Sequence, residues 1–266
     1  MDHLKATKQQ SPASAELGRL GNRASTLKQA LHVGAAFSVY LGVRAIANDS
    51  EAAAYANAEA ILRLESAAGI AWERTLQAGA LSRPLLLTIF NWIYAWTYWP
   101  LLFGSLALTW FADRRLFYLF RNSLLISGAV GLLIFMLVPV APPRFLDGFV
   151  DTVSTSHRSN FIAYPSFVIN KFAALPSFHV GWSALACFIL AHLSDRRAAH
   201  VALAVPPALM SAAVVVTANH YIVDVGAGLA LSFLSYLVAR RWLAPDNPEG
   251  ETHQTAMAAV GTHRPD

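Results

Sequence analysis

Charge is scarce in this chain. Asp, Glu, Lys and Arg make up 14% of its 266 residues, where a soluble globular protein carries about 25%. Hydrophobic residues make up 55%, and the mean hydropathy is +0.42. Intrinsic disorder, a collagen-like chain and a coiled coil are excluded, because none of them tolerates this apolar fraction. Cysteine is scarcer still. Cys187 stands alone inside an apolar block, so no disulfide closes within the chain and the residue reads as packing. No sequence repeat with a period of roughly 20–50 residues is present. A basic stripe with interleaved aromatics is also missing, which removes nucleic acid as a partner despite a formal net charge of +4 and a pI near 9.4.

What is present is long uncharged sequence. Residues 85–111 and 122–143 hold no charged side chain, and a helix over the first of these covers roughly 40 Å. Six apolar stretches are predicted to span a membrane: Ala30 to Ala47, Leu85 to Phe111, Asn122 to Pro143, Phe172 to Leu193, Val201 to Ala218 and Val225 to Ala239. The expected fold is an all-α integral membrane protein, a six-transmembrane-helix bundle. Between spans one and two, Asn48 to Pro84 scatters Glu59, Glu65 and Glu73 among alanines, which predicts an amphipathic helical segment lying at the membrane surface. The domain division is a disordered basic tail (1–28), a membrane domain (29–242) and a disordered polar tail (243–266). Ala45-Ile46-Ala47 resembles a signal-peptidase site, but Arg44 beside it and the long polar lead argue against cleavage.

Thirteen of the twenty Lys and Arg residues fall on the tails and on the loops that share their side, among them Arg114, Arg115, Arg121, Arg196, Arg197, Arg240 and Arg241. The positive-inside rule therefore predicts a multi-pass cell-membrane protein with cytoplasmic N- and C-termini. The Arg144–Pro176 loop and the Asn219–Asp224 knot then share the extracytoplasmic face.

Three polar features gather on that face. Pro142-Pro143-Arg144 puts a guanidinium where span three emerges, Leu175-Pro176-Ser177-Phe178-His179 opens span four, and His220 with Asp224 opens span six. Positions i and i+4 share a helix face, so the Asp224 carboxylate can hold the His220 ring in one tautomer. An imidazole so held is a competent nucleophile toward phosphorus. His179 is placed to protonate a leaving oxygen and later activate an acceptor. Arg144 offers a bidentate grip on phosphate oxygens, and the helix start at Ser177 offers anion-binding N–H groups. Singly, each feature has a plain reading: an interfacial histidine, a headgroup-contacting arginine, a structural HxxxD pair. Their conjunction on one face favours a catalytic site.

ALPSFHVGWSAL (174–185) and ANHYIVDVGAG (218–228) resemble the second and third signatures of the type-2 phosphatidic acid phosphatase superfamily. More closely, they are similar to its inositol phosphorylceramide synthase-like branch, over about Asn91 to Ala239. The resemblance implies that His220 is the nucleophile of a phosphohistidine intermediate, Asp224 its orienting partner and His179 the acid/base. It also implies a metal-independent enzyme, without cofactor, acting on a lipid phosphate or phospholipid, with water or an alcohol or polyol as acceptor.

Two departures stand out. Leu137 occupies the place of the first signature's lysine, and Ala213-Val214 replace the Ser-Arg of the third. With fewer cations, phosphate binding falls to Arg144 and Ser177, with Arg158 or Lys171 from the loop as further contacts. Asn91, Tyr94 and Tyr98 recur at helical spacing and are candidate headgroup contacts, while Trp92, Trp96 and Trp99 read as interface or packing aromatics. No role is assigned to His157, His192 or His200.

The reading that follows is a membrane-embedded lipid phosphotransferase or lipid phosphate phosphatase. Two alternatives stay open. A lipid transporter or headgroup-binding protein would use His220 and Asp224 as a structural or proton-relay pair. An intramembrane metalloprotease would need paired glutamates on a membrane helix, and Glu59, Glu65 and Glu73 all precede the long spans.

Overall fold

The computed structural model describes residues 25–35, 38–39, 42, 50–152 and 171–242. Among the described residues the fold is all-helical without a strand, and one isolated bridge joins Val140 to Ala173. The helices are α1 (Glu51–Ala67), α2 (Glu73–Leu81), α3 (Pro84–Trp92), α4 (Tyr98–Ala112), α5 (Arg114–Leu137), α6 (Phe178–Ala191), α7 (Arg197–Val216) and α8 (Ile222–Trp242). A π-helical turn occupies Ile93–Thr97 and a 3₁₀ turn Pro143–Phe145. Residues 25–35 are also helical, so helix reaches into the basic tail expected to end at residue 28. The rest of that tail, the 243–266 tail, Ala45-Ile46-Ala47 and half of the first expected span lie outside the described residues.

Among the described residues three helices are long and apolar enough to cross a membrane, α5, α7 and α8, with 24, 20 and 21 residues. Between 28% and 44% of the most apolar part of each is buried, so most of their apolar length faces outward, as in lipid. Six such spans were expected, and the difference has local causes. The uncharged stretch 85–111 is helical throughout but divided by the π-helical turn into α3 and α4, of nine and fifteen residues. The stretch expected to run from Phe172 yields only the fourteen residues of α6. At 1.5 Å per residue α6 covers about 21 Å, against an apolar bilayer core of about 30 Å. Its first six expected residues are instead non-helical chain that reaches Val140 through the Ala173 bridge.

Helix boundaries follow side-chain chemistry. Asp113 caps α5, its carboxylate accepting from the Arg115 and Leu116 N–H groups at 2.8 and 3.1 Å. The cap starts the helix at Arg114 rather than Asn122, so Arg114, Arg115 and Arg121 lie on helix, not loop. Val138, ahead of Pro139, ends it, because a residue before proline avoids the helical region.

The short α6 is the centre of the bundle, packed against α4, α5, α7 and α8. Phe178 and Trp182 stack at 4.5 Å, and Trp182 Nε1 donates to Ser127 Oγ of α5 at 3.0 Å. On the opposite side α6 meets α8 backbone to backbone. A Cβ on Gly181 would lie 2.4 Å from the Gly228 carbonyl oxygen, and one on Gly228 would lie 2.2 Å from that of Ser177. Only glycine permits this crossing.

The segment between the first two expected spans forms two helices, and α1 is amphipathic as expected. Its inner face, Ala54, Ala58, Ile61 and Glu65, is buried against protein rather than spread on a lipid surface. Asn57 Nδ2 donates to the Pro139 carbonyl at 2.8 Å, and the Ala141 N–H to the Ala54 carbonyl at 3.1 Å. In α2, Gln77 pairs in both directions with the Val150 backbone, at 2.8 and 3.0 Å.

The glycine crossing gives a direct test. Gly228→Ala should lower stability by about 1–3 kcal/mol through overpacking against backbone that cannot yield. Gly226→Ala, whose Cβ would meet nothing within 4 Å, should leave it unchanged or slightly raised. Thermal unfolding of the detergent-solubilised variants measures both.

Candidate functional site

The site is built where α7 ends and α8 begins. Thr217 turns its hydroxyl back onto the Ala213 carbonyl at 2.6 Å, and the Asn219 and His220 N–H groups both reach the Val214 carbonyl, at 2.9 and 3.0 Å. Ala218 completes the reversal at φ 55, a left-handed conformation unusual for a residue with a side chain. The turn is therefore tightly tied, and His220 leaves it 6% exposed.

Two acceptors face the His220 ring on one side. Nδ1 lies 2.7 Å from the Ala174 carbonyl oxygen and 3.3 Å from Asp224 Oδ2. A carbonyl can only accept, so Nδ1 carries the hydrogen and, in the neutral ring, Nε2 keeps its lone pair. Asp224 was expected to orient the ring. In the structure it shares that task with the nearer main-chain oxygen of Ala174, and Oδ2 also accepts the Tyr221 N–H at 2.9 Å.

His179, in the first turn of α6, has its ring centroid 6.1 Å from that of His220. Tyr94 and Tyr98 pack on it with centroids at 4.7 and 4.6 Å. Tyr94 lies within the π-helical turn and Tyr98 opens α4, and such turns recur at functional sites because they re-aim side chains. These two tyrosines thus meet the histidine itself. Asn91, one turn earlier, pairs with Thr152 instead, at 3.2 and 3.3 Å.

Arg144 is tied to the same turn. Its N–H donates to the Ala218 carbonyl at 2.8 Å, and its Nη1 donates to Asn219 Oδ1. Nε lies 3.7 Å from Asp151 Oδ2, and the guanidinium rides over the Phe145 ring at 4.8 Å. Ser177 departs from expectation in part. Its main-chain N–H is committed to the Asp224 carbonyl at 3.0 Å, while its fully buried hydroxyl has no hydrogen-bond partner. Lys171 is exposed, and Arg158 lies outside the described residues.

Sequence reasoning missed two residues here. Glu65 and Glu73 are 0% and 1% exposed. Glu65 Oε1 accepts the Val223 N–H at 2.7 Å and Glu73 Oε1 the Ile222 N–H at 3.0 Å, so both cap the start of α8. A signal was available: Glu65 falls on the apolar stripe of α1, where a solvated glutamate would not sit. Burial pushes the Glu65 carboxyl up to about 8, with the neighbouring Glu73 and Asp224 carboxyls adding to the rise and the Val223 N–H opposing it. Burial, together with Asp224, Glu65 and Glu73, also raises the Tyr221 phenol, whose hydroxyl donates to the Ala141 carbonyl at 2.8 Å. Among the described residues no three His, Cys, Asp or Glu side chains are grouped to hold a metal ion.

The sequence profile of the PAP2 superfamily matches residues 59–238, just over two thirds of the chain. The matched region begins within α1 and so includes both buried glutamates. No curated protein and no solved structure matches.

Asn219 is the side-chain link between Arg144 and the histidine turn. Asn219→Ala should weaken phosphate-ester turnover about tenfold, the cost of one charge-assisted hydrogen bond. Arg144→Lys should act in the same direction, because a lysine cannot reproduce the fork. Both are read in the KM and kcat of the detergent-solubilised enzyme.

Proposed function

The chain belongs to the PAP2 superfamily, whose members are typically phosphatases, and from that premise we propose a lipid phosphatase or phosphotransferase working through a phosphohistidine. The observation that carries the reading is the His220 geometry: Nδ1–H fixed on Ala174 and Asp224, and His179 about one phosphoryl group away. In the first half-reaction Nε2 of His220 attacks phosphorus, the ester P–O bond breaks, and His179 gives its proton to the leaving oxygen. The positive charge developing on the imidazole is balanced by Asp224 and the Ala174 carbonyl. In the second, His179 takes the proton of water or an alcohol, whose oxygen attacks the phosphohistidine and frees His220. Hydrolysis and transfer differ only in that acceptor.

Arg144 and the Ser177 hydroxyl are the assigned phosphate contacts, and Tyr94 and Tyr98 the residues that flank the headgroup beside His179. The missing lysine at Leu137 and the missing arginine at Val214 favour the transferase-like branch, which binds phosphate with fewer cations. A lipid substrate is supported by the apolar exterior of α5, α7 and α8, which brings acyl chains alongside the site.

The site is assigned to the extracytoplasmic side. The end of α5, the starts of α6 and α8 and the end of α7 carry the site, while Arg114, Arg115, Arg196, Arg197, Arg240 and Arg241 mark the opposite ends. Arg121 donates to Gln29, which holds helix 25–35 at that basic end.

The test uses detergent-solubilised protein with a panel of lipid phosphates and phosphodiesters, following free phosphate and phospho-adducts to added polyols. His220→Ala should abolish whichever product forms, and a chelator should leave it unchanged. Equal product from wild type and His220→Ala would reject the assignment. Product that depends on His220 and appears only with a polyol would assign the transferase.

A further inference from the structure

We propose that Glu65 and Glu73 are positioning residues for His220 and Asp224, acting together as a carboxyl clamp on the first turn of α8 that holds a proton at Glu65. The proposal rests on the catalytic reading of His220 above. Three consecutive N–H groups, of Tyr221, Ile222 and Val223, are each taken by a different carboxyl: Asp224, Glu73 and Glu65, at 2.9, 3.0 and 2.7 Å. These are the residues between His220 and Asp224, so the position of this turn sets the distance from Nδ1 to Asp224 Oδ2. The two glutamates hold this turn by its backbone. They act through it, from helices 149 and 158 residues away in sequence.

Capping alone would be served by one ionised carboxylate or by a serine. Here two buried glutamates crowd Asp224, and like charges at such range cannot all persist without water. The titratable groups facing Glu65 are Glu73 from α2, Asp224 from α8 and Tyr221 from the turn before it, with His220 behind Asp224. Glu65 shares the buried face of α1 with Ala54, Ala58 and Ile61, which are apolar. Glu65 Oε2 is buried and receives no donor hydrogen, so nothing at that oxygen offsets a negative charge. With its carboxyl pushed up to about 8, Glu65 keeps its proton through neutral pH. Loss of that proton puts a further negative charge beside Asp224 and Glu73 and loosens the turn. The folded value lies above the ordinary 4.5, so the folded state binds the extra proton between the two. Stability from this group is complete below about 4.5 and is lost as pH rises through about 8.

The test compares the full-length chain in detergent with Glu65→Gln, which keeps an acceptor oxygen for Val223 but cannot titrate, and Glu65→Ala, which keeps neither. Difference infrared spectroscopy should show a protonated carboxyl at neutral pH that disappears near pH 8 in the wild type and is missing from Glu65→Gln. Amide exchange at Val223 should be about tenfold faster in Glu65→Ala and unchanged in Glu65→Gln, the result expected when one capping hydrogen bond is lost. With phosphatidic acid micelles, kcat of the wild type should fall above pH 8 with KM constant. Glu65→Gln should lose that alkaline limb while keeping its neutral-pH rate. A Glu65→Ala protein with wild-type exchange, or a carboxyl band that survives in Glu65→Gln, overturns the clamp even if turnover depends on His220. Turnover that persists in His220→Ala, with the band and exchange as expected, overturns the catalytic reading and the positioning role with it.

Discussion

A helix that begins inside a protein leaves N–H groups that water cannot reach, and α8 begins in such a place. Asn219, His220, Tyr221 and Asp224 at its start are all less than a tenth exposed. Each free N–H must find an acceptor in the fold or cost about 1–3 kcal/mol. Much of the architecture supplies those acceptors. The α7 terminus folds back so that Val214 receives two of them, Asp224 receives a third, and α2 and α1 lay Glu73 and Glu65 over the next two. Even the glycine crossing of α6 and α8 belongs here, because it lets Ser177 donate to the Asp224 carbonyl and brings Ala174 onto His220.

The chemistry follows from that satisfaction. A histidine in a wet cleft would exchange tautomers freely, whereas His220 has its Nδ1 hydrogen held by an oxygen that cannot give one back. The price is a dense set of carboxyls, and Arg144 is the cation tied into the same turn, through Asn219 and the Ala218 carbonyl. A phosphate entering this site would bring more negative charge toward Asp224, Glu73 and Asp151. Keeping Glu65 neutral lowers that opposition at no cost in hydrogen bonding.

Much of this was legible in the residues alone. The HxxxD spacing, the PSFH start of α6 and Arg144 in the 3₁₀ turn after α5 do meet, from points up to some 75 residues apart in the chain. Backbone acceptors were not legible, since no side-chain pattern announces that Ala174 will offer its carbonyl to His220. Glu65 and Glu73 were misread for a related reason: in an alanine-rich helix a glutamate suggests a solvated face, and only the tertiary need of α8 draws it inward. The span count failed because lack of charge marks burial as well as lipid exposure. The 85–111 run is divided by a π-helical turn that aims Tyr94 and Tyr98 at His179, and α6 is short because the residues ahead of it build the site.

The central claim is that phosphate passes through His220. Rapid acid-free quenching of the enzyme with lipid labelled in its phosphate, followed by peptide mapping, tests it most directly. The account predicts an acid-labile, alkali-stable label on the peptide carrying His220, absent from His220→Ala. Turnover at full rate with no labelled histidine, or with the label on another residue, would contradict it.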